Sequence, residues 1–169
     1  MASDLRQHIL CILQCPAIKI GPWGGNGGSP HDITDASTIK HLESVTINSG
    51  PVVNSIQFSY VDYAGQTQSA GPWGNSGEQQ AHTIQLAESE FITQLSGTFG
   101  PYGRVITVTS IKFVTNLNTY GPWGQENGTP FTVPVRPNGS IVGFFASGGA
   151  YLIAIGAYVR PGTSEEAAA

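Results

Sequence analysis

A chain of 169 residues, 40% of them hydrophobic, can bury one core, yet only 11% of it is charged, against roughly 25% in ordinary soluble domains. So few charges exclude a helical bundle, whose outer faces need them. The net charge of −4 excludes the cationic face that binding nucleic acid phosphates requires. With 22 glycines and a surface left to Ser, Thr, Asn and Gln, the composition predicts a turn-dense all-β domain.

In chain order, residues 1–16 read as an N-terminal extension. Asp4 to Gln14 has helix-favouring composition, and its apolar run, Ile9 to Leu13, is shorter than the ~7–15 residues of a signal-peptide core. No run is long enough to span a membrane, so no membrane insertion and a cytoplasmic or nuclear location are expected. Cys11 and Cys15 are too few to staple such a domain and read as a reduced pair. Beyond the extension come short stretches alternating apolar and polar with period two: Ser44–Ile47, Ser55–Tyr60, His82–Leu86, Phe91–Leu95, Val105–Val108, Ser110–Thr115, Phe131–Val133, Ile141–Phe145 and Ala154–Val159. Each is a predicted strand. Gly97 to Gly103, dense in Gly and Pro, reads as an extra loop, and Pro134 sets a strand edge or bend. A domain over 17–161 and a C-terminal tail over 162–169 complete the organisation.

The sequence also repeats itself. Gly-Pro-Trp-Gly stands at 21–24, 71–74 and 121–124, a period of 50, and holds all three tryptophans. Ile56, Ile111 and Ile155 correspond between units, as do Phe58, Phe113 and Ala157. Three similar antiparallel units, each marginal alone, bury their faces together around a pseudo-threefold axis. That predicts a β-prism; a β-trefoil and a three-bladed array are the other threefold solutions. Threefold recurrence predicts that Trp23, Trp73 and Trp123 are buried at equivalent core positions rather than exposed as sugar-stacking platforms.

The stretch Lys19-Ile20-Gly21-Pro22-Trp23-Gly24-Gly25-Asn26-Gly27-Gly28-Ser29-Pro30-His31-Asp32-Ile33 resembles the N-terminal signature of jacalin-related plant lectins of the single-chain mannose type. Further resemblance lies in Phe91–Gly103, Ile111–Asn116, Thr119–Gly124 with Gly128–Phe131, Ile141–Ala146 and Tyr151–Gly156. The resemblance implies a β-prism of three Greek-key four-stranded sheets. It also implies binding of mannose- or glucose-containing glycans without metal or cofactor, and a homo-oligomer, dimer or tetramer. The implied sugar site joins the glycine-rich loop ending at Gly28 to a Gly-x-x-x-Asp loop near the C-terminus. There backbone N–H groups donate to the sugar and the carboxylate accepts from two hydroxyls.

On this sequence that second loop is Gly149-Ala150-Tyr151-Leu152-Ile153. Ala150, Tyr151 and Leu152 keep the backbone groups, but Ile153 stands where the acid belongs and accepts nothing. A possible second site in the first repeat would use Pro51, Val52 and Asn54 opposite Glu78, with Pro51 lacking an N–H; the middle repeat places Thr109 at the acid position. The expected function is therefore a lectin with an altered sugar site. The competing expectation is a β-prism that serves as a protein-interaction or defence-complex module. No enzyme is expected: His8, His31, His41 and His82 form no metal-binding spacing, and the adjacent pair His31-Asp32 reads as structural.

Overall fold

The computed structural model describes residues 16–77 and 79–162. Their strands are β1 (Ile18–Gly24), β2 (Ser29–His31), β3 (Ile39–Ser49), β4 (Val53–Asp62), β5 (Thr67–Gly74) and β6 (Gln80–Gln85), then β7 (Ile92–Tyr102), β8 (Val105–Thr115), β9 (Thr119–Gly124), β10 (Thr129–Thr132), β11 (Ser140–Gly148) and β12 (Leu152–Arg160). The one helical element among the described residues is a 3₁₀ turn over Ala36–Thr38, which Asp35 caps by accepting from the Ser37 amide at 3.0 Å. The extension with Cys11 and Cys15, Glu78, and the end of the tail lie outside the described residues.

The strands sort into three antiparallel Greek keys, ordered β6-β3-β4-β5, β10-β7-β8-β9 and β2-β11-β12-β1. In two of them the first three strands are joined by hairpins and the fourth returns beside the first. The last key has the same order, but its chain break falls between β12 and β1, so the first and last strands are partners, Ile18 opposite Val159. A single pair, Ile141 opposite Ile92, links this sheet to the β7–β10 sheet. This is a β-prism.

Gly-Pro-Trp-Gly makes the same irregularity in every sheet. Trp23, Trp73 and Trp123 lie opposite Ile155, Ile56 and Ile111, and the next paired residues, Ile20, Ala70 and Tyr120, lie opposite Ala157, Phe58 and Phe113. Three steps along the motif strand thus match two along its partner, a β-bulge. The correspondences predicted between the repeats are these opposed residues.

The tryptophans close the prism in a ring. Trp73 stacks on His31 of the β1–β2 unit at 5.8 Å between ring centroids, Trp123 on His82 of the β5–β6 unit at 4.7 Å, and Trp23 on Phe131 of the β9–β10 unit at 5.7 Å. Each motif clasps the strand that follows another motif, and aromatic pairs of this kind contribute about 0.5–1.5 kcal/mol beyond burial. Only Trp73 is buried; Trp23 and Trp123 are half-buried against the core. The expected burial is thus corrected for two of the three, because one ring face of each serves the stack at the rim of the core.

On the axis, Phe58, Phe113 and Phe144 meet edge to face, with Phe144 5.2 Å from Phe58 and 5.9 Å from Phe113. Phe58 and Phe113 lie opposite Val45 and Leu95, whereas Ala157 lies opposite Phe144. In the third sheet the large residue has moved to the neighbouring strand, and the core volume is kept.

Gly97 to Gly103 is not an inserted loop. β7 and β8 continue as a ladder through Gly100–Thr107, Pro101–Ile106 and Tyr102–Val105 to a turn at Gly103-Arg104. Cross-strand pairing carries these residues as strand despite their turn-like composition. The resulting arm reaches over a neighbouring sheet.

Candidate functional site

Each sheet has a further bulge in its central hairpin, at the glycine-loop end of the prism, next to the turn in two hairpins and at the base of the arm in the third. Asn48 and Ser49 lie opposite Ser55 and Val53; Ser147 and Gly148 opposite Ala154 and Leu152; Thr98 and Phe99 opposite Ser110 and Val108. The residues left without an opposite number are Asn54, Ile153 and Thr109. A bulge re-aims the side chain it carries, so the three positions matched between the repeats are one structural position. Their carbonyls accept from the residue after each Gly-Pro-Trp-Gly: Gly25 N–H to Ile153 at 2.9 Å, Asn75 to Asn54 at 3.0 Å and Gln125 to Thr109 at 2.9 Å. The last glycine of each motif makes this approach possible. At Gly24, Gly74 and Gly124 φ is positive, and a Cβ would stand 2.1–2.3 Å from that same carbonyl oxygen.

In the sheet of the terminal strands, the glycine loop 25–28 faces the loop 149–153. Gly28 has φ +81°, and a Cβ there would lie 2.9 Å from the Gly148 carbonyl oxygen and 3.1 Å from Ile153 Cγ1. No side chain fits between them. The Gly149 N–H donates to the Tyr151 carbonyl at 3.0 Å, tightening the turn. Ala150 is exposed and Tyr151 half-exposed, while Leu152 points into the core. Leu152 can therefore offer the site only its backbone. Ile153 is 4% exposed and lines the crevice with aliphatic carbon.

The arm forms a third wall that sequence reasoning missed. Thr107 donates its hydroxyl to the Leu152 carbonyl at 2.6 Å, a Cβ at Gly25 would stand 2.4 Å from the Ile106 carbonyl oxygen, and Tyr102 meets Tyr151 edge to face at 5.2 Å. Tyr102, Val105 and Ile106 remain exposed. The available signal was the alternation of Val105–Val108, which continues the preceding strand once Gly97–Gly103 is seen as ladder.

In the β3–β6 sheet the Gly50 N–H donates to the Val52 carbonyl at 3.0 Å, the same turn as at Gly149. Pro51 is exposed, Val52 is buried, and Asn54 is buried with no partner for its Oδ1 among the described residues. The ladder pairs Ser49 with Gln80 where Gly148 pairs with Ser29. Counted back from it, Gln79 rather than Glu78 holds the place of Gly28, and the loop 75–79 is one residue longer than 25–28. The Gln79 amide lies over Gly50: a Cβ there would meet Oε1 at 2.2 Å. In the β7–β10 sheet the position is closed. Thr109 donates to the Asn127 carbonyl at 2.6 Å and its hydroxyl lies 2.7 Å from that of Thr98.

His31 and Asp32 are no dyad, since His31 stacks on Trp73 while Asp32 accepts from Lys19 Nζ at 2.6 Å, the Ile33 amide at 2.7 Å and the Tyr158 hydroxyl at 2.5 Å. Burial alone would raise the Asp32 pKa, but these donors outweigh it and hold the carboxyl below the usual range. Burial, together with Asp32, pushes the Tyr158 hydroxyl well up. At the far end of the prism the buried Glu90 accepts from Thr115 at 2.6 Å, Tyr120 at 2.9 Å and the Ala87 amide at 3.1 Å. Its pKa is lowered, chiefly by the Thr115 hydrogen bond. Both carboxylates stitch loops to sheets away from the crevice.

Three Greek keys joined as a prism, with a bulge-borne loop facing a glycine loop at one end, are the architecture of a β-prism lectin domain. Residues 20–158 match the jacalin-like lectin domain, and the chain belongs to that family of carbohydrate-binding proteins. It is similar to Horcolin from Hordeum vulgare, 41% identical over 144 residues that cover 85% of this chain and 97% of Horcolin. Among solved structures it is similar to a mannose-binding jacalin-related lectin from Ananas comosus, with TM-score 0.80, 39% identity, and 86% and 98% of the two chains covered. It is also similar to artocarpin, solved in complex with mannotriose, with TM-score 0.77, 30% identity, and 86% and 98% covered.

Proposed function

We propose that this chain is a mannose/glucose-type lectin whose principal sugar site is altered. The site is the crevice between Gly28 and the loop of Ala150, Tyr151, Leu152 and Ile153. The carrying observation is the buried, apolar Ile153 at the bulge facing Gly28, where the family resemblance calls for a carboxylate. Backbone donors and the close approach at Gly28 remain, so a hexose still has partners, but two acceptor contacts are missing. A hydrogen bond to a charged group is worth about 1.5–3 kcal/mol, and a 1 mM site about 4.1 kcal/mol in all. Losing even one such bond takes a monosaccharide site of that strength close to zero. Affinity then rests on contacts beyond one ring, and exposed Tyr102, Val105 and Ile106 stand beside the crevice to make them. The loop pair around Asn54 is the weaker candidate, because Gln79 covers Gly50. Self-association belongs to the same proposal, since a sheet surface with so few charges does little to protect its edges.

Titration calorimetry with mannose and mannotriose, alongside a glycan array, tests this. The expected result is no resolvable heat with millimolar mannose and measurable binding of larger mannose glycans. Micromolar mannose affinity would refute the altered site. A blank array together with blank titrations would favour the protein-interaction module.

A further inference from the structure

Beside β1 runs an apolar groove of about 320 Å³, between the edge of the terminal-strand sheet and the segment that leaves β10. Ile18, Ile20, Pro134, Val159 and Pro161 line it, and Arg136 is its one charged residue among the described residues. Ile18 is 53% exposed, a large aliphatic side chain with no described cover.

We infer that this groove is the docking site of the chain's own N-terminal segment, residues 1–15, which settles Leu5, Ile9, Leu10, Ile12 or Leu13 into it. Three observations select that occupant. The segment enters the described chain at Pro16, two residues before the groove begins. Leu13 and Ile18 are five positions apart, so the link spans at most ~18 Å even when fully extended. The segment is also rich in aliphatic side chains and carries only Asp4 and Arg6 as charges, whereas the C-terminal tail has Glu165, Glu166 and alanines, which suit an apolar groove poorly. Finally, the segment lies outside the domain: the family match begins at residue 20, and Horcolin, almost wholly covered, aligns with 144 residues of this chain. A second copy fits less well. Six lining residues are few against the roughly 20–30 per side of a standard interface, but they suffice for a tethered segment whose effective concentration is near millimolar.

The two native cysteines of the segment, Cys11 and Cys15, make the inference testable in the full-length protein. Arg136→Cys places a thiol on the groove rim without removing a core side chain; Lys40→Cys, exposed at the same end of the prism, where Arg160 beside Val159 donates to its carbonyl, lies near the tether but outside the groove. After mild oxidation and peptide mapping, the expected result is a disulfide within the monomer between position 136 and Cys11 or Cys15. Its yield should exceed that of the Lys40→Cys control by at least ~tenfold, the ratio given by about 1.4 kcal/mol of preference. Adding Ile9→Asp and Leu13→Asp should return the yield to the control level while leaving the prism's unfolding temperature unchanged. Equal yields at positions 136 and 40 would overturn the inference. Disulfides formed only between chains would also overturn it, assigning the groove to a second copy. An Ile9→Asp, Leu13→Asp variant that cross-links as well as its parent would show that aliphatic docking is not the cause.

Discussion

Ile153→Asp is the perturbation that bears most directly on the site. The side chain is 4% exposed, and its Cγ1 stands 3.1 Å from where Gly28 would carry a Cβ. A carboxylate on the same bulge therefore faces the crevice, with the Gly25 N–H still bonded to the position's carbonyl. One charge-assisted bond to a sugar hydroxyl is worth about 1.5–3 kcal/mol, which predicts a mannose affinity gain of roughly 10- to 150-fold. The same substitution removes a buried Ile and costs stability by about 1.5–3 kcal/mol, so calorimetric titration with mannose must be paired with a denaturant melt. Ile153→Asn, a neutral acceptor worth about 0.5–1.5 kcal/mol, should gain less. Asn54→Asp should also gain less, because Gln79 covers Gly50 and Pro51 has no N–H to donate. The Asp-dependent gain should vanish as pH falls below about 4, where a carboxyl near its ordinary pKa of ~3.9 protonates. If folded Ile153→Asp binds mannose no better than the parent protein, the crevice is not the sugar site.

Two further perturbations test the frame that holds the crevice. Phe144→Ala should lower the unfolding free energy by about 3–5 kcal/mol, read from denaturant midpoints, while Phe144→Val combined with Ala157→Phe should recover most of the loss by restoring the arrangement of the other two sheets; a double variant no more stable than Phe144→Ala would refute the strand exchange. Glu90→Gln should cost about 1.5–3 kcal/mol, since it removes the charge from hydrogen bonds that Thr115, Tyr120 and the Ala87 amide donate. Because the folded pKa of Glu90 is depressed, its contribution is complete above the unfolded value of ~4.3 and is lost as pH falls through the folded value. The stability difference between parent and Glu90→Gln should therefore shrink below about pH 4.3 and stay constant above it.

What the sequence determined by itself was the repeat and its consequences. A tetrapeptide with a tryptophan recurring every 50 residues, set among period-two strands, demands three like units. The matching of Ile153, Asn54 and Thr109, made by laying the family's Gly-x-x-x-Asp pattern on the repeats, proved to be one bulge position. Tertiary structure decided what depends on contacts between distant residues. Gly97–Gly103 became strand because a facing strand satisfied its backbone, which composition cannot reveal. Ala157 stayed small because Phe144, on the adjacent strand, fills the axis in its place; a core conserves volume, not the position that supplies it. Gln79 rather than Glu78 took the place of Gly28 because the ladder at Ser49 fixes the register, and the extra residue falls in the loop before it. Trp23 and Trp123 kept partial exposure for the same kind of reason: their stacking partners come from other units, so the depth of each ring was set by how the sheets meet.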